Sequence, residues 1–526
     1  MGIYINKGND GFRSAVEGTY VDKSGLISVV NKTLGTERQY TCVTRCRRFG
    51  KSMAAKMLCA YYDKSCDSRP LFRGLSIESD PSFETHLNKY PVISLDITDF
   101  TTKYGRDENI VERIQENVIA DLLAAYPDVI RKDGQDLMDV LLMIHEATGE
   151  KFIMVIDEWD AICREFDRNP SVMDEYVNLL RRMFKGGNSE RVFAGVYMTG
   201  ILPIKRYKTE SALNNFREYS VISPGNMASF FGFTPSEVAA LAEGSDVTVE
   251  ELKEWYDGYK IGKEPSMYNP YSVIEAISKG ECENNWSKTG ALDAVSRYIS
   301  MNFEGLKDDI IYMLSGGRCD VETTGFDNDP NKIKSKDDVL TILIHLGYLS
   351  YDKKEVQCFV PNKEVSEELS KAVKACNWAR VGDALEASRK LLRATLAMDE
   401  DAVARGIELT HDEETSILSY NDENSLACVL SIAYFYAKND YVMHRELPTG
   451  KGFADLVFIP HRNVDSPAMV IELKCNKSAD AAIDQIKRKQ YPAKVAEYTG
   501  DILLVGINYD HETKTHSCKI ERYTKE

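Results

Sequence analysis

The chain has 526 residues, 43% of them hydrophobic and 28% charged, which leaves room for three or four globular domains with sizeable cores. Its formal net charge of −17 excludes a protein drawn to nucleic acid over its whole surface, so a nucleic-acid site has to be a local basic patch. The 12 cysteines are scattered without a CxxC pair, the start from Met1 to Phe12 is polar, and no apolar run reaches the ~20 residues of a membrane span, so a cytoplasmic protein with reduced thiols and no membrane contact is expected.

The first predicted element of interest is a strand, Tyr40–Thr44, followed by a polar loop over residues 45–50 and a helix over 52–62. Further strands are predicted at 91–97, 152–156 and 192–198, separated by helices such as Ile110–Ala125 and 173–184. Strands alternating with helices predict a mostly parallel sheet covered on both faces. Strands are expected to stop near residue 200, and 234–316 reads as helices and loops, a helical lid. An apolar helix over 337–350 and the strand-and-turn stretch 355–365 are compatible with a winged-helix-like module, and a charged helical connector follows to residue 405. From residue 422 the order is helix (423–437), two strands (454–459 and 468–473), helix (479–490) and a last strand (502–507). The domains are therefore placed at 1–230, 231–325, 326–405 and 406–526.

Gly50-Lys51-Ser52 lies between a strand and a helix, as the end of a P-loop does. Such a loop wraps backbone N–H groups around a β-phosphate, sets a lysine on the β- and γ-phosphates, and offers a hydroxyl to Mg²⁺. The full pattern would put a glycine at position 45, where this chain has Arg45. The apolar run "KFIMVIDEWD" ends in Asp157-Glu158, the Walker B form, with one carboxylate for Mg²⁺ and the next for the attacking water. A third apolar strand ends at Thr199, where a side chain can sense the γ-phosphate. The expected nucleotide-binding set is Arg47, Arg48, Gly50, Lys51, Ser52, Asp157 and Thr199, with Ser52 and Asp157 as metal ligands and Glu158 catalytic. A strand end capping the next helix is the bland alternative for Asp157-Glu158.

In the C-terminal part, Asp455 stands at the entrance to a strand, and "MVIELKC" carries Glu472 and Lys474 on one face of the next. Phosphodiester hydrolysis needs carboxylates converging on Mg²⁺ and a cation near the water and the charged transition state. Asp455 and Glu472 are the expected metal ligands, and Lys474 the cation. Glu423 adds an acid from the preceding helix, and Gln485 and Tyr491 approach from the following one. Lys451, Lys474, Lys477, Lys487, Arg488, Lys489 and Lys494 cluster here as a local phosphate-binding surface. The bland alternative is an ion pair at Glu472 and Lys474 and a solvated helix face at 487–489.

Taken in order, "YVDKSGLI" (20–27), "TRCRRFGKS" (44–52), "VISLDITDF" (92–100), "VIDEWDA" (155–161), "MTGILPI" (198–204), "SALNNF" (211–216), "FGFT" (231–234), "EWYDGYKIG" (254–262), "YNPYSV" (268–273), "GYLSYD" and "VPNKEV" resemble the prokaryotic AAA-ATPase-like family with a C-terminal PD-(D/E)XK nuclease domain. The resemblance implies an α/β P-loop ATPase core, a helical lid, a winged-helix-like connector and an α/β PD-(D/E)XK nuclease fold. It also implies that Arg45 is usual at its position, whereas Cys46 replaces a usual proline. In that superfamily the positions of Glu423, Asp455, Glu472, Lys474 and Gln485 resemble an accessory acid, the metal acids, the lysine and a helix residue at the site. The expected function is ATP binding and hydrolysis with Mg²⁺, joined to cleavage of nucleic acid, DNA favoured over RNA, with a homo-oligomer left open. The rival is a nucleotide-switched regulatory or nucleic-acid-binding protein whose C-terminal domain does not cut.

Overall fold

The computed structural model describes residues 2–129, 136–166, 169–204, 206–207, 210–211, 213–286, 291–301, 303–314, 316–327, 332–375, 379–414, 430, 433–434, 436–437, 440–448, 453–460, 464, 466–488, 495, 501–510 and 512–523. The chain divides into two compact units, Met1–Tyr298 with Arg318–Leu369, and Ile299–Gly317 with Ser370–Glu526. Among the described residues no helix is long and apolar enough to cross a membrane.

The first unit is built on a five-stranded sheet of β1 (Tyr40–Thr44), β2 (Val92–Asp96), β3 (Phe152–Asp157), β4 (Phe193–Gly200) and β5 (Arg217–Tyr219), in the order β2–β3–β4–β1–β5 with every neighbouring pair parallel. Strands β1, β3 and β4 are buried along their whole length, as expected when helices cover both faces. The period of two divides β3 between two cores. Phe152, Met154 and Ile156 pack among the residues of α2 (Ile97–Tyr104), α3 (Ile110–Ala125), α4 (Leu137–Thr148), α5 (Ala161–Glu165) and α6 (Pro170–Phe184). Ile153 and Val155 face the other core, with α1 (Lys51–Tyr62). Because all these strands run the same way, Thr44, Asp96, Asp157 and Gly200 finish at one edge of the sheet, where α/β proteins place their ligands.

Strands do not stop at residue 200. Besides β5, a hairpin of β6 (Tyr259–Ile261) and β7 (Glu264–Met267) lies among the helices α7 (Pro235–Ala242), α8 (Val249–Tyr256) and α9 (Pro270–Lys279). Strands of three or four residues are too short to show an alternation, which is why periodicity missed them. The expected helix-then-hairpin is present: α10 (Lys336–Leu346) precedes β9 (Ser350–Asp352) and β10 (Gln357–Phe359), which pair, with β8 (Cys319–Asp320) on the outer side of β10. Helix α11 (Lys363–Ala375) follows.

The second unit has helices α12 (Ala379–Leu396) and α13 (Glu400–Glu414) and a sheet in the order β11–β12–β13–β14–β15. Its strands are β11 (Tyr441–Pro448), β12 (Phe453–Pro460), β13 (Ala468–Cys475), β14 (Ile502–Asp510) and β15 (Thr515–Tyr523). Only the β13–β14 pair is parallel, joined across helix α14 (Ala479–Arg488). Ile471 and Leu473 pack toward α12 and α13, whereas Val470 packs with Ile483 and Ile486 of α14. The outermost strands β11 and β15 were not predicted. β15 reads "THSCKIERY", a half-solvated edge strand with too few apolar residues to announce itself.

The Trp-Tyr-Asp-Gly-Tyr block, residues 255–259, has a packing role. Gly258 adopts φ 96°, and a Cβ on it would lie 2.0 Å from the Pro361 carbonyl oxygen. Asn362 Nδ2 donates to the Asp257 carbonyl at 2.7 Å, and the Tyr259 hydroxyl donates to the Gly347 carbonyl at 3.0 Å. The block therefore clamps the lid hairpin to the α10–β10 module through backbone approach that only glycine permits. Gly258→Ala is expected to destabilise the protein by well over the ~1 kcal/mol of an ordinary strained substitution, read as a lowered urea midpoint.

Candidate nucleotide and nuclease sites

The loop from Arg45 to Gly50 ends in a left-handed glycine, Gly50 at φ 87°, which starts α1 with Lys51 as its first residue. Lys51 is buried, 4% exposed, and its ammonium donates to the carbonyls of Arg45 (3.2 Å) and Cys46 (3.1 Å) while lying 3.3 Å from Glu158 Oε1. The ammonium thus closes over its own loop and meets the carboxylate that ends the third strand. Burial pushes the Glu158 carboxyl up, but the charges of Lys51 and Arg164 outweigh it and hold the group below its ordinary range.

Asp157, Glu158 and Thr199 converge as expected. Asp157 Oδ1 accepts from the Thr199 hydroxyl and from the Glu158 N–H (3.1 Å). Glu158 sits at φ 50°, an uncommon conformation for a residue with a side chain, and Trp159 N–H donating to the Thr199 carbonyl at 2.8 Å fixes the turn. Strain of this kind is retained mainly where function needs it.

Ser52 and Asp157 line one cleft of about 470 Å³ together with Lys7, Lys56, Asp96 and Asp99. A hydroxyl and a carboxylate are the hard oxygen donors that Mg²⁺ takes, with water and substrate phosphates completing its shell, so these residues fit the ion. Among the described residues no three His, Cys, Asp or Glu side chains form a self-sufficient metal site. Asp96, paired in register with Asp157, is a residue the prediction missed. Burial, and then the Asp157 charge, push its carboxyl up to about 6. Its position at a strand end, like that of Asp157, was the available signal.

One of the predicted phosphate ligands is engaged elsewhere. Arg48, at φ 67°, donates to the Asn285 carbonyl at 2.7 Å and stacks 4.2 Å over the Tyr271 ring, facing the lid. Asn285 N–H in turn donates at 2.9 Å to Glu364, a fully buried carboxyl that also accepts from the Ser272 hydroxyl. Arg47 stays near the site, where Arg164 and Glu158 act on its charge after burial. Arg45, where a glycine would stand, is fully buried and makes no phosphate-facing contact. It donates to the carbonyls of Thr44 (2.8 Å), Tyr219 (2.7 Å) and Met227 (3.3 Å) and lies 5.2 Å over the Phe231 ring. Burial lowers its guanidinium only to about 10, so it stays charged.

In the second unit, Glu472 and Lys474 are both buried on the α14 face of β13. Lys474 Nζ donates to Glu472 Oε1 at 3.1 Å and to the Leu473 carbonyl at 2.7 Å, and Gln485 Nε2 donates to the same Glu472 oxygen. The register Leu456↔Ile471, carried one residue further, sets Asp455 on β12 opposite Glu472. The Asp455 side chain and all of Glu423, Tyr491, Lys451, Lys489 and Lys494 lie outside the described residues. In the basic cluster, Lys477 and Arg488 are exposed, and Lys487 pairs with Glu521 at 2.5 Å.

Two expectations follow from the buried groups. Arg45→Gly should lower stability by roughly 2–4 kcal/mol in urea unfolding and should not raise nucleotide turnover, because it strips partners from buried carbonyls without adding a phosphate contact. Glu364 has its carboxyl pushed up from 4.5 to about 7 by burial, so the folded state favours its neutral form. Its contribution to stability is full below pH 4.5 and lost as the pH rises through about 7. Urea unfolding at pH 5 and pH 8 should therefore show wild type losing about 2.5 kcal/mol relative to Glu364→Gln.

Comparison with known proteins gives two family matches: "Predicted AAA-ATPase" over residues 12–209 and "PD-(D/E)XK nuclease superfamily" over residues 421–518. The chain is 25% identical over 283 residues to the "Uncharacterized protein in vnfD 5'region" of Azotobacter chroococcum mcd 1, covering 52% of this chain and 50% of that protein. It thus spans about half the length of the curated relative it matches. Among solved structures it is similar to the Aeropyrum pernix ORC2 protein (ADPNP-ADP complexes), with 10% identity, 69% of this chain and 98% of that chain covered, and a TM-score of 0.28. It is also similar to the Aeropyrum pernix ORC1 protein in complex with DNA, with 11% identity, coverage of 70% and 97%, and a TM-score of 0.23. These superpositions are loose, so assignment rests on the sequence matches and on what stands at the strand ends. The chain joins a predicted AAA-ATPase segment, residues 12–209, to a PD-(D/E)XK nuclease superfamily segment, residues 421–518.

Proposed function

We propose that the protein binds and hydrolyses ATP with Mg²⁺ and cleaves nucleic acid, DNA in preference to RNA, at a metal-dependent site in its C-terminal domain. The observation that carries the first half is the meeting of Lys51 with Glu158, 3.3 Å apart, beside Ser52, Asp157 and Thr199 at the carboxyl edge of a parallel sheet. Lys51 would turn from its loop carbonyls to the β- and γ-phosphates, the first N–H groups of α1 would cradle the β-phosphate, and Ser52 with Asp157 would hold Mg²⁺. Mg²⁺ would supply charge neutralisation on the phosphate oxygens. Glu158, held ionised, would orient the attacking water, with Thr199 fixing Asp157.

For the second half, Glu472 and Asp455 would hold the metal, and Lys474 would stand at the water and the developing phosphorane charge. Gln485, donating to Glu472, would orient that carboxylate. Phosphate binding would fall first to the exposed Lys477 and Arg488. The rival, a nucleotide-switched binding protein, needs neither a water-orienting carboxylate nor a lysine beside the nuclease acids.

Purified protein assayed for phosphate release and for cleavage of linear, circular and single-stranded DNA and of RNA, in Mg²⁺ with and without ATP, tests the reading. Lys51→Ala should lose ATP turnover by at least ~10²-fold, whereas Glu158→Gln should bind ATP but not release phosphate. Asp455→Ala, Glu472→Ala and Lys474→Ala should each abolish cleavage with ATP turnover largely kept, and only Lys474→Ala should still titrate with metal. Wild-type turnover in Lys51→Ala would sink the ATPase assignment. A wild type that binds no divalent metal at the C-terminal site and cuts no substrate would leave the switch as the better account.

A further inference from the structure

We propose that Arg164 is the positioning residue for Glu158, holding the water-orienting carboxylate in place once nucleotide has drawn Lys51 away. The inference rests on the ATPase reading above and adds to it a residue outside the nucleotide-binding motifs.

Glu158 carries a cation on each oxygen. Lys51 Nζ lies 3.3 Å from Oε1, and Arg164 Nη2 lies 2.5 Å from Oε2. The two are not equivalent. Lys51 is the residue that phosphates would recruit, so its grip on Glu158 belongs to the nucleotide-free protein. Arg164 has another anchor, an ion pair with Asp160: its Nε lies 3.1 Å from Oδ2, without the alignment of a hydrogen bond. Asp160 is completely buried, and its two oxygens accept the N–H groups of Ile201 (3.2 Å) and Leu202 (2.9 Å), just past Thr199 at the end of β4. A fork thus runs from the sensor strand through Asp160 and Arg164 to Glu158.

A guanidinium suits this place because its charge is spread over a rigid plane that faces both carboxylates at once. Arg164 and Glu158 are each 19% exposed, so this is no freely solvated surface pair of negligible worth. Glu158 also occupies a left-handed backbone conformation, which persists only where the surroundings fix it. A carboxylate displaced by about 1 Å from the attacking water is enough to lose roughly 10²-fold in rate.

The test uses the full chain. Phosphate release and the affinity for ADP are measured for wild type, Arg164→Gln, Arg164→Lys and Lys51→Ala, with thermal unfolding of each. Arg164→Gln is expected to lower kcat roughly 10²-fold while KM and ADP affinity stay within about threefold, and Arg164→Lys to recover part of the loss. An unchanged or raised kcat in Arg164→Gln would overturn the inference. So would kcat, affinity and melting temperature falling together and equally in both variants, the mark of a brace. If Arg164→Gln does not fold, Arg164→Lys decides: reduced kcat at wild-type affinity supports the role, and wild-type kcat overturns it. A wild type no faster than Lys51→Ala would instead remove the ATPase reading, and this inference with it.

Discussion

A lysine ammonium that is 4% exposed has to be compensated on every side, and in this protein that requirement organises the carboxyl edge of the first sheet. Lys51 is compensated by two loop carbonyls and by Glu158. The carbonyls can face inward only because the loop closes through Gly50 in the left-handed region. Glu158 reaches the ammonium only because its own backbone is held left-handed by the end of β4. The parallel register that puts Thr199 beside Val43 and Asp157 beside Asp96 is therefore what makes a buried charge tolerable there.

Arg45 solves a second problem of the same loop. A P-loop with glycine at that position has little side-chain tie to the rest of the sheet. Here the side chain threads inward and bonds three backbone carbonyls, from the loop's own start, from β5 and from the segment before the lid. The guanidinium is matched by these carbonyl dipoles and by the Phe231 ring. The position lost backbone freedom and gained a brace between three elements. Arg48 extends the bracing to the lid, through Asn285 to Glu364.

Much of this was legible in the chain. Tyr40–Thr44 and Ile110–Ala125 occur with the predicted bounds, and Asp157 at the end of one strand and Glu472 within another lie on apolar runs legible in the sequence. Glu472 and Lys474 share a face because a strand alternates with period two, a rule that needs no tertiary knowledge. What stayed hidden depends on contacts between distant residues. Nothing local says that Arg48 turns to Asn285, 237 positions away, or that Asp96 closes the cleft beside Asp157. Nor does a polar edge strand such as β15 carry an apolar signature. Short lid strands fail for a related reason: three residues hold less than two periods.

The arrangement around Glu158 also bears on the choice between enzyme and switch. A protein that only binds nucleotide and changes shape needs the cradle, the lysine and a metal ligand; Gly50, Lys51, Ser52 and Asp157 cover those needs. Glu158 would then be free to relax to an ordinary backbone conformation, since a left-handed non-glycine residue costs of order 1–3 kcal/mol unless its surroundings fix it. Instead the chain spends two backbone bonds, a buried aspartate and an arginine on keeping that one carboxylate ionised and aimed beside Lys51. Binding does not require such an investment, but orienting a water molecule does. The proposed hydrolysis accordingly turns on Glu158 beside Lys51, and the proposed cleavage on Lys474 beside Glu472 at β13.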